Sequence, residues 1–343
     1  MPSTSSVPIS ILDLSFVREG ETSHEALFDS LALAREAERL GYKRFWMAEH
    51  HNMEGIASAA TSVALGFIAG GTESIRIGSG GIMLPNHSPL VIAEQFGTLA
   101  SLYPGRVDLG LGRAPGTDHR TARALRRDLS VDTADSFPED VQELQAYLGQ
   151  PVPGQTVHAV PGEGLEVPIW LLGSSLYSAK LAAILGLPFA FASHFAPEHL
   201  FAALELYRGE FRPSAQWDKP YTMVAANIVV ADTDDEAEFL FSSAQIGVLN
   251  LLRGRRGKMQ PPLLNATSGW SPEEHEAVGR FLKYSFVGSP KTVSDELELF
   301  VRHTQADEVI ATARIYDLSA RLRSFELLAS CWSAKKDVPV PCG

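Results

Sequence analysis

The chain has 343 residues, 45% hydrophobic and 20% charged, enough to fill a large core and far from a disordered composition. Its formal net charge of -12 argues against a nucleic-acid backbone or an anionic membrane as the main partner. With only Cys331 and Cys342, it has neither a disulfide framework nor a cysteine-based zinc site.

The opening MPSTSSVPIS lacks a basic region followed by a long apolar run, so no export signal is expected. Strand-like and helix-like runs then alternate throughout. ISILDLS (9–15) leads to a helical pattern over 24–40, RFWMAEH (44–50) to 56–70, and IRIGSGGIML (75–84) to 89–102. VDLGLG (107–112) leads to 137–148, PIWLLG (168–173) to 175–186, and PFAFASH (188–194) to 197–210. MVAANIVVA (223–231) leads to 234–252; after a further helix over 290–304, DEVIATARI (307–315) leads to 317–332. Eight βα units in series predict a single (β/α)8 TIM barrel over 1–343, with a doubly wound open sheet as the alternative.

Two segments interrupt the alternation. Residues 150–167, after the fourth helix, are Pro- and Gly-rich and read as a hairpin-like excursion. Residues 253–274, after the seventh strand and its helix, join a basic cluster to prolines and glycines, as a lid or a solvated insertion. The uncharged stretch Gly55 to Thr72 is too short and too rich in small residues to span a bilayer, and a cytoplasmic protein is expected. Its helix (56–70) has no polar stripe, which predicts a homodimer interface or coverage by another part of the chain.

In such a barrel the C-terminal strand ends hold the active site. There the second strand offers Glu49-His50-His51-Asn52, the third Ser79-Gly80-Gly81 running on to His87, and the fourth Gly112-Arg113. The fifth offers Gly173-Ser174-Ser175 with Tyr177 and Ser178, the sixth Ser193-His194. Ser174, Ser175 and Ser178 surround the first-turn amides of a helix, an arrangement suited to an anion or to ordinary capping. Arg113, one strand over, tips the reading toward phosphate. Gly80-Gly81 inside a strand marks a bulge or a close backbone approach to a flat ring. Phosphate plus flat ring spells a mononucleotide such as FMN. Gly110-x-Gly112 lacks the third glycine of a dinucleotide fingerprint. His50 and His51, adjacent on a strand, point to opposite sides, so no metal site is expected.

FWMAEHHN (45–52), GSGGIMLPNHSPLVIAEQFGTLASLYPGRVDLGLGRAPGTD (78–118) and WLLGSSLYSAKLAAILGLPFAFASHFAP (170–197) resemble the bacterial luciferase-like flavin-dependent monooxygenases, closest to their small homodimeric branch. The resemblance covers essentially the whole chain. It implies reduced FMN (FMNH2) supplied by a separate flavin reductase. With O2 this would act through a C4a-(hydro)peroxyflavin to oxygenate a small organic substrate. It also implies a role for His50 at the flavin, a non-prolyl cis peptide at Gly80-Gly81 beneath the ring, and a phosphate cradle of Arg113, Ser174, Ser175 and Ser178. Glu94 falls where the family often has an acid near the flavin, and 253–274 matches a lid. Gly112 and Ser174 depart from the light-emitting members, which puts bioluminescence in doubt.

An imidazole titrates near neutrality by type, so His50 is the expected proton carrier, with His194 and His87 next. His158, His199 and His303 are expected to be buried structural residues. Three rivals remain: a deazaflavin- or FMN-dependent hydride-transfer enzyme, a metal-dependent barrel hydrolase, and a non-catalytic FMN-binding protein.

Overall fold

The computed structural model describes residues 7–114, 119–125 and 136–334. The first six residues of the stretch read for an export signal, residues 115–118 of the family-like stretch, and Cys342 lie outside the described residues. In chain order the elements are β1 (Ile9–Asp13), α1 (Ser23–Arg39), β2 (Arg44–Met47), α2 (Thr61–Gly70), β3 (Arg76–Ser79), β4 (Ile82–Met83), α3 (Pro89–Leu102), β5 (Val107–Gly112) and α4 (His119–Leu125). They continue with α5 (Phe137–Leu148), β6 (Ile169–Gly173), α6 (Leu176–Leu185), β7 (Phe189–Phe191), α7 (Leu200–Glu210), β8 (Thr222–Val230) and α8 (Asp234–Leu252). The last are α9 (Pro272–Phe281), β9 (Ser285–Gly288), α10 (Pro290–Thr304), β10 (Glu308–Thr312) and α11 (Leu318–Ala334).

Eight parallel strands close on themselves in the order β1, β2, β3, β5, β6, β7, β8, β10, and β10 pairs with both β8 and β1. That last pairing makes the sheet the expected (β/α)8 barrel and excludes the open sheet. Besides β7, the long β8 pairs with β10 along its first half and with β9 along its second.

Strand alternation sorts the residues into two cores. Ile11, Phe45, Met47, Leu109, Leu171 and Val309 point outward and pack under the helices. Leu12, Trp46, Trp170, Met223 and Ile310 point into the barrel. One layer lower, the inward positions carry charge. Arg44 bridges Asp108 (2.6 Å) and Glu308 (3.0 Å), Arg76 pairs with Asp108 (2.5 Å), and Lys43 with Glu308 (3.1 Å). Ser10 and Tyr221 also donate to Glu308, and the carboxylates of Asp108 and Glu308 are fully buried. The lower end of the barrel is a closed ionic layer.

Several boundaries differ from the pattern. The second strand stops at Met47, so Glu49 to Asn52 stand on a loop. The helix read over 56–70 begins at Thr61, because Ser58 donates to Leu14 O and Ala48 O and Ile56 bridges Phe16, pinning that stretch to the barrel rim. The run 75–84 breaks at a cis Gly80–Gly81 peptide. Residues 150–167 fold back through Gly164 N to Gly149 O and Glu166 N to Leu148 O, hairpin-like in path but carrying no strand. On α2, Val63 (73%) and Phe67 (39%) are exposed, and Phe67 meets Phe28 of α1 edge-on.

Candidate functional site

A cavity of about 510 Å³ opens at the C-terminal strand ends, within the size range of cofactor sites. Its floor is the upper surface of the inner core, including Leu12, Trp46, Ala190, Ala225 and Ile310.

One wall is bare backbone. Between Gly78 and Ile82 the chain takes four residue steps while its neighbour advances three, from Asp108 to Leu111. This is a bulge, and the cis Gly80–Gly81 peptide occupies it. Ser79 Oγ replaces the interrupted ladder, donating to Gly110 O (2.8 Å) and accepting from Gly110 N (3.0 Å). A Cβ on Gly81 would lie 2.7 Å from Gly110 O, and one on Gly110 would lie 2.2 Å from Ser79 O. Both positions demand glycine, and Gly80 and Gly81 present a flat ledge to the cavity.

Two strands on, β6 turns directly into α6. Ser175 is its N-cap, in extended conformation, and its hydroxyl makes no capping hydrogen bond. Ser178 sits in the first turn against Gly173, where a Cβ would come within 2.3 Å of Ser178 Oγ. Arg113 leaves the end of β5, paired through Gly112 with Leu172 of β6, and its guanidinium lies 4.1 Å above the Tyr177 ring. It makes no ion pair with any described carboxylate. Arg113, Ser174, Ser175 and Ser178 all line the cavity beside free first-turn amides, a ready anion cradle. A flat ledge beside such a cradle fits the ring and phosphate of a flavin mononucleotide.

The inward parity of Arg44, Trp46 and Ala48 continues past the end of β2 to His50, which lines the cavity. Glu49 and His51 take the opposite side. Glu49 Oε1 receives Nε2 of both His51 (2.7 Å) and His87 (2.8 Å), while Oε2 accepts from Met83 N (3.2 Å). Burial would raise the Glu49 pKa, but the two imidazoles outweigh it and hold it down at about 2. These three side chains place one ligand atom each within 4.8 Å of one another, a spacing that could hold an ion. His87 belongs to this cluster and does not line the cavity.

His194 does line it, its ring edge-on to Phe195 and its Nδ1 buried without a hydrogen-bond partner. Burial, and then the charges of Arg314 and His50, push its pKa down to about 3. At neutral pH it is therefore an uncharged imidazole.

Residues 253–274 cross the mouth. Met259 N donates to Val17 O (2.9 Å), Glu19 N donates to Met259 O (2.8 Å), and Lys258 Nζ to Glu21 O (2.6 Å). The Gly257 carbonyl packs so closely on Gly55 that a Cβ there would lie 2.3 Å away. This strap brings Arg255, Arg256 and Lys258 to the cavity, where with Arg113 and Arg314 they face one acid, Glu54.

Of the sequence-predicted site residues, His50, Gly80, Gly81, Arg113, Ser174, Ser175 and Ser178 converge on this one cavity. Glu94 does not: α3 runs outside the sheet, and Glu94 lies there between buried Ile92 and Phe96 and exposed Gln95. His158, His199 and His303 are exposed, not buried, and His158 pairs with Glu163 (2.7 Å). Sequence reasoning missed Arg314, although the alternation through Glu308, Ile310 and Thr312 carries on to it.

The family model for luciferase-like monooxygenases matches residues 7–307. A luciferase-like monooxygenase of Escherichia coli (strain K12) is 56% identical over 321 residues, 94% of this chain and 96% of the relative. The solved structure of apo-MsnO8 has a TM-score of 0.88 at 36% identity, covering 95% of this chain and 98% of that one. The oxygenating constituent of 3,6-diketocamphane monooxygenase from Pseudomonas putida, solved with FMN, has a TM-score of 0.72 at 15% identity, covering 98% and 100% of the two chains. That last likeness is one of fold alone.

Proposed function

The chain belongs to the luciferase-like monooxygenase family, and from that premise we propose that it binds reduced FMN in the barrel mouth and oxygenates a small, largely apolar organic substrate. The observation that carries this reading is the meeting, in one cavity, of the Gly80–Gly81 ledge and the Arg113–α6 anion cradle two strands away. Reduced FMN, when bound, supplies the electrons that activate O2.

Arg113 would hold the phosphate, with Ser174, Ser175, Ser178 and the first-turn amides completing its shell. Gly80 and Gly81 would admit the ring face against the backbone. His50 would move a proton at the ring edge. His194, uncharged, adds no competing positive charge beside it. The strap 253–274 would act as a lid that excludes water. A separate flavin reductase is the proposed source of reduced FMN, and the exposed Val63 and Phe67 of α2 the proposed seam of a homodimer. No helix among the described residues is long and apolar enough to cross a membrane, and a cytoplasmic location is part of the proposal.

One observation favours a second reading. Arg255, Arg256 and Lys258 at the mouth suit the anionic tail of a deazaflavin, which would transfer hydride instead.

Both readings meet in one experiment. Protein saturated with reduced FMN is mixed rapidly with oxygenated buffer, and the return of oxidised-flavin absorbance is followed. The expected result is a return slower than that of free reduced FMN, with His50→Ala restoring a faster one at unchanged FMN affinity. A return at the free rate, or binding of the deazaflavin F420 in preference to FMN, would sink the monooxygenase reading.

A further inference from the structure

The cavity has a second cationic pole. Arg314 stands two residues beyond β10, four strand positions from β5 in the ring of eight, so it faces the mouth from the side opposite Arg113. Its guanidinium lies 5.1 Å from the centre of the Phe16 ring and makes no hydrogen bond or ion pair with any described residue. Other enclosed arginines are satisfied within the chain: Arg44 by Asp108 and Glu308, Arg321 by Asp13, Arg208 by the carbonyls of Thr304 and Gln305. Burial pulls the Arg314 pKa down to about 10, with no carboxylate to offset it.

An unpaired guanidinium in an apolar pocket is costly, and the cost is recovered only when an anion arrives. The flavin phosphate is the wrong anion, because its cradle lies across the barrel. The strap cations are at the rim, and the lone acid in the lining, Glu54, is exposed. Besides Phe16, the cavity that Arg314 lines offers Phe195, Phe281 and Ile310, with His194 Nδ1 and Ser243 Oγ as buried polar atoms lacking partners. A single cation without a helix N-terminus suits a monoanion, and its planar fork matches a carboxylate.

We propose that Arg314 anchors the carboxylate of the substrate, which is therefore an organic acid whose apolar chain lies on Phe16, Phe195 and Phe281. This deepens the reading of the cavity as the oxygenation pocket, yet it can be tested by binding alone.

The probes are hexanoate and its neutral isostere hexanamide, titrated calorimetrically into wild type, Arg314→Lys and Arg314→Met, each with and without FMN. Wild type should prefer hexanoate by roughly tenfold or more, as expected of a charge-assisted pair. Arg314→Lys should keep part of that preference and Arg314→Met none. FMN affinity should stay within about twofold in both variants, because one interaction worth less than 0.5 kcal/mol would be at stake. Arg314→Met should also unfold at a temperature no lower than wild type, since it removes a half-buried unpaired charge. Equal binding of the two probes by wild type overturns the assignment, as does a preference that survives Arg314→Met. A marked loss of FMN affinity in Arg314→Met would show that the flavin is the counter-anion, and a lowered unfolding temperature that the residue is structural. Either overturns it. A hexanoate preference in a protein that binds no FMN would support Arg314 while removing the flavin reading.

Discussion

The two ends of the barrel treat inward-facing charge in opposite ways. At the lower end Arg44 pairs with both Asp108 and Glu308, with Arg76 and Lys43 closing the set. At the upper end Arg113 and Arg314 have no acidic partner among the described residues, and His194 is held neutral. The same strands, β5 and β10, supply both ends: Asp108 and Arg113 on one, Glu308 and Arg314 on the other. Charge satisfied within the chain makes an end structural. Charge left facing a cavity makes it a place for ligands.

The largest effect should come from breaking the lower layer. Arg44→Met leaves Asp108 and Glu308 buried with too little positive charge and should cost about 3–5 kcal/mol of stability, read as a lower denaturant midpoint. At the upper end the equivalent change, Arg314→Met, should leave stability equal or higher. A matching loss at both ends would erase the contrast.

Acid should attack the protein from the rim. The folded pKa of His194 is near 3 against an ordinary 6.5, so between these values the unfolded chain takes up a proton that the folded one refuses. Stability is therefore full above about 6.5 and falls as pH drops toward 3, with a slope of at most about 1.4 kcal/mol per pH unit from this group. Glu49, at about 2 folded against 4.5, adds a loss that begins below 4.5 and runs down toward 2. Denaturant titrations across this range should show His194→Gln flattening the upper segment alone. An unchanged profile in that variant would mean the acid sensitivity arises elsewhere.

The smallest effect sharpens the picture within the rim. Arg113→Ala should weaken FMN binding by roughly 10- to 100-fold, the loss of one charge-assisted contact of about 1.5–3 kcal/mol, at unchanged unfolding temperature. Fluorescence titration of FMN checks it, and undiminished affinity would displace the phosphate from this cradle.

Much of this was legible in the sequence because period and punctuation are local. The βα alternation gave the barrel, Gly80-Gly81 the ledge, and the serines after Gly173 the cradle. Strand ends were less legible, since pairing partners decide them: β2 stops at Met47 although FWMAEH reads as one run. His50 still faces the cavity because side-chain parity outlasts the ladder. Glu94 rested on a resemblance alone, without a strand-end position to support it, and it lies on an outer helix. Arg314 was within reach, at an inward parity of DEVIATARI, but its importance is the lack of a partner. A sequence shows which charges exist and not which of them meet. The same holds for His51 and His87, which are far apart in the chain and share one carboxylate oxygen.

The ionic stopper at the lower end also governs traffic. With Asp108 and Glu308 sealed beneath Trp46 and Trp170, the lower end gives the pocket no outlet among the described residues, and the strap residues 255–259 stand at its mouth. A planar cofactor on the Gly80–Gly81 ledge and an acid reaching for Arg314 would both share that mouth, so a molecule lodged at the threshold would obstruct either.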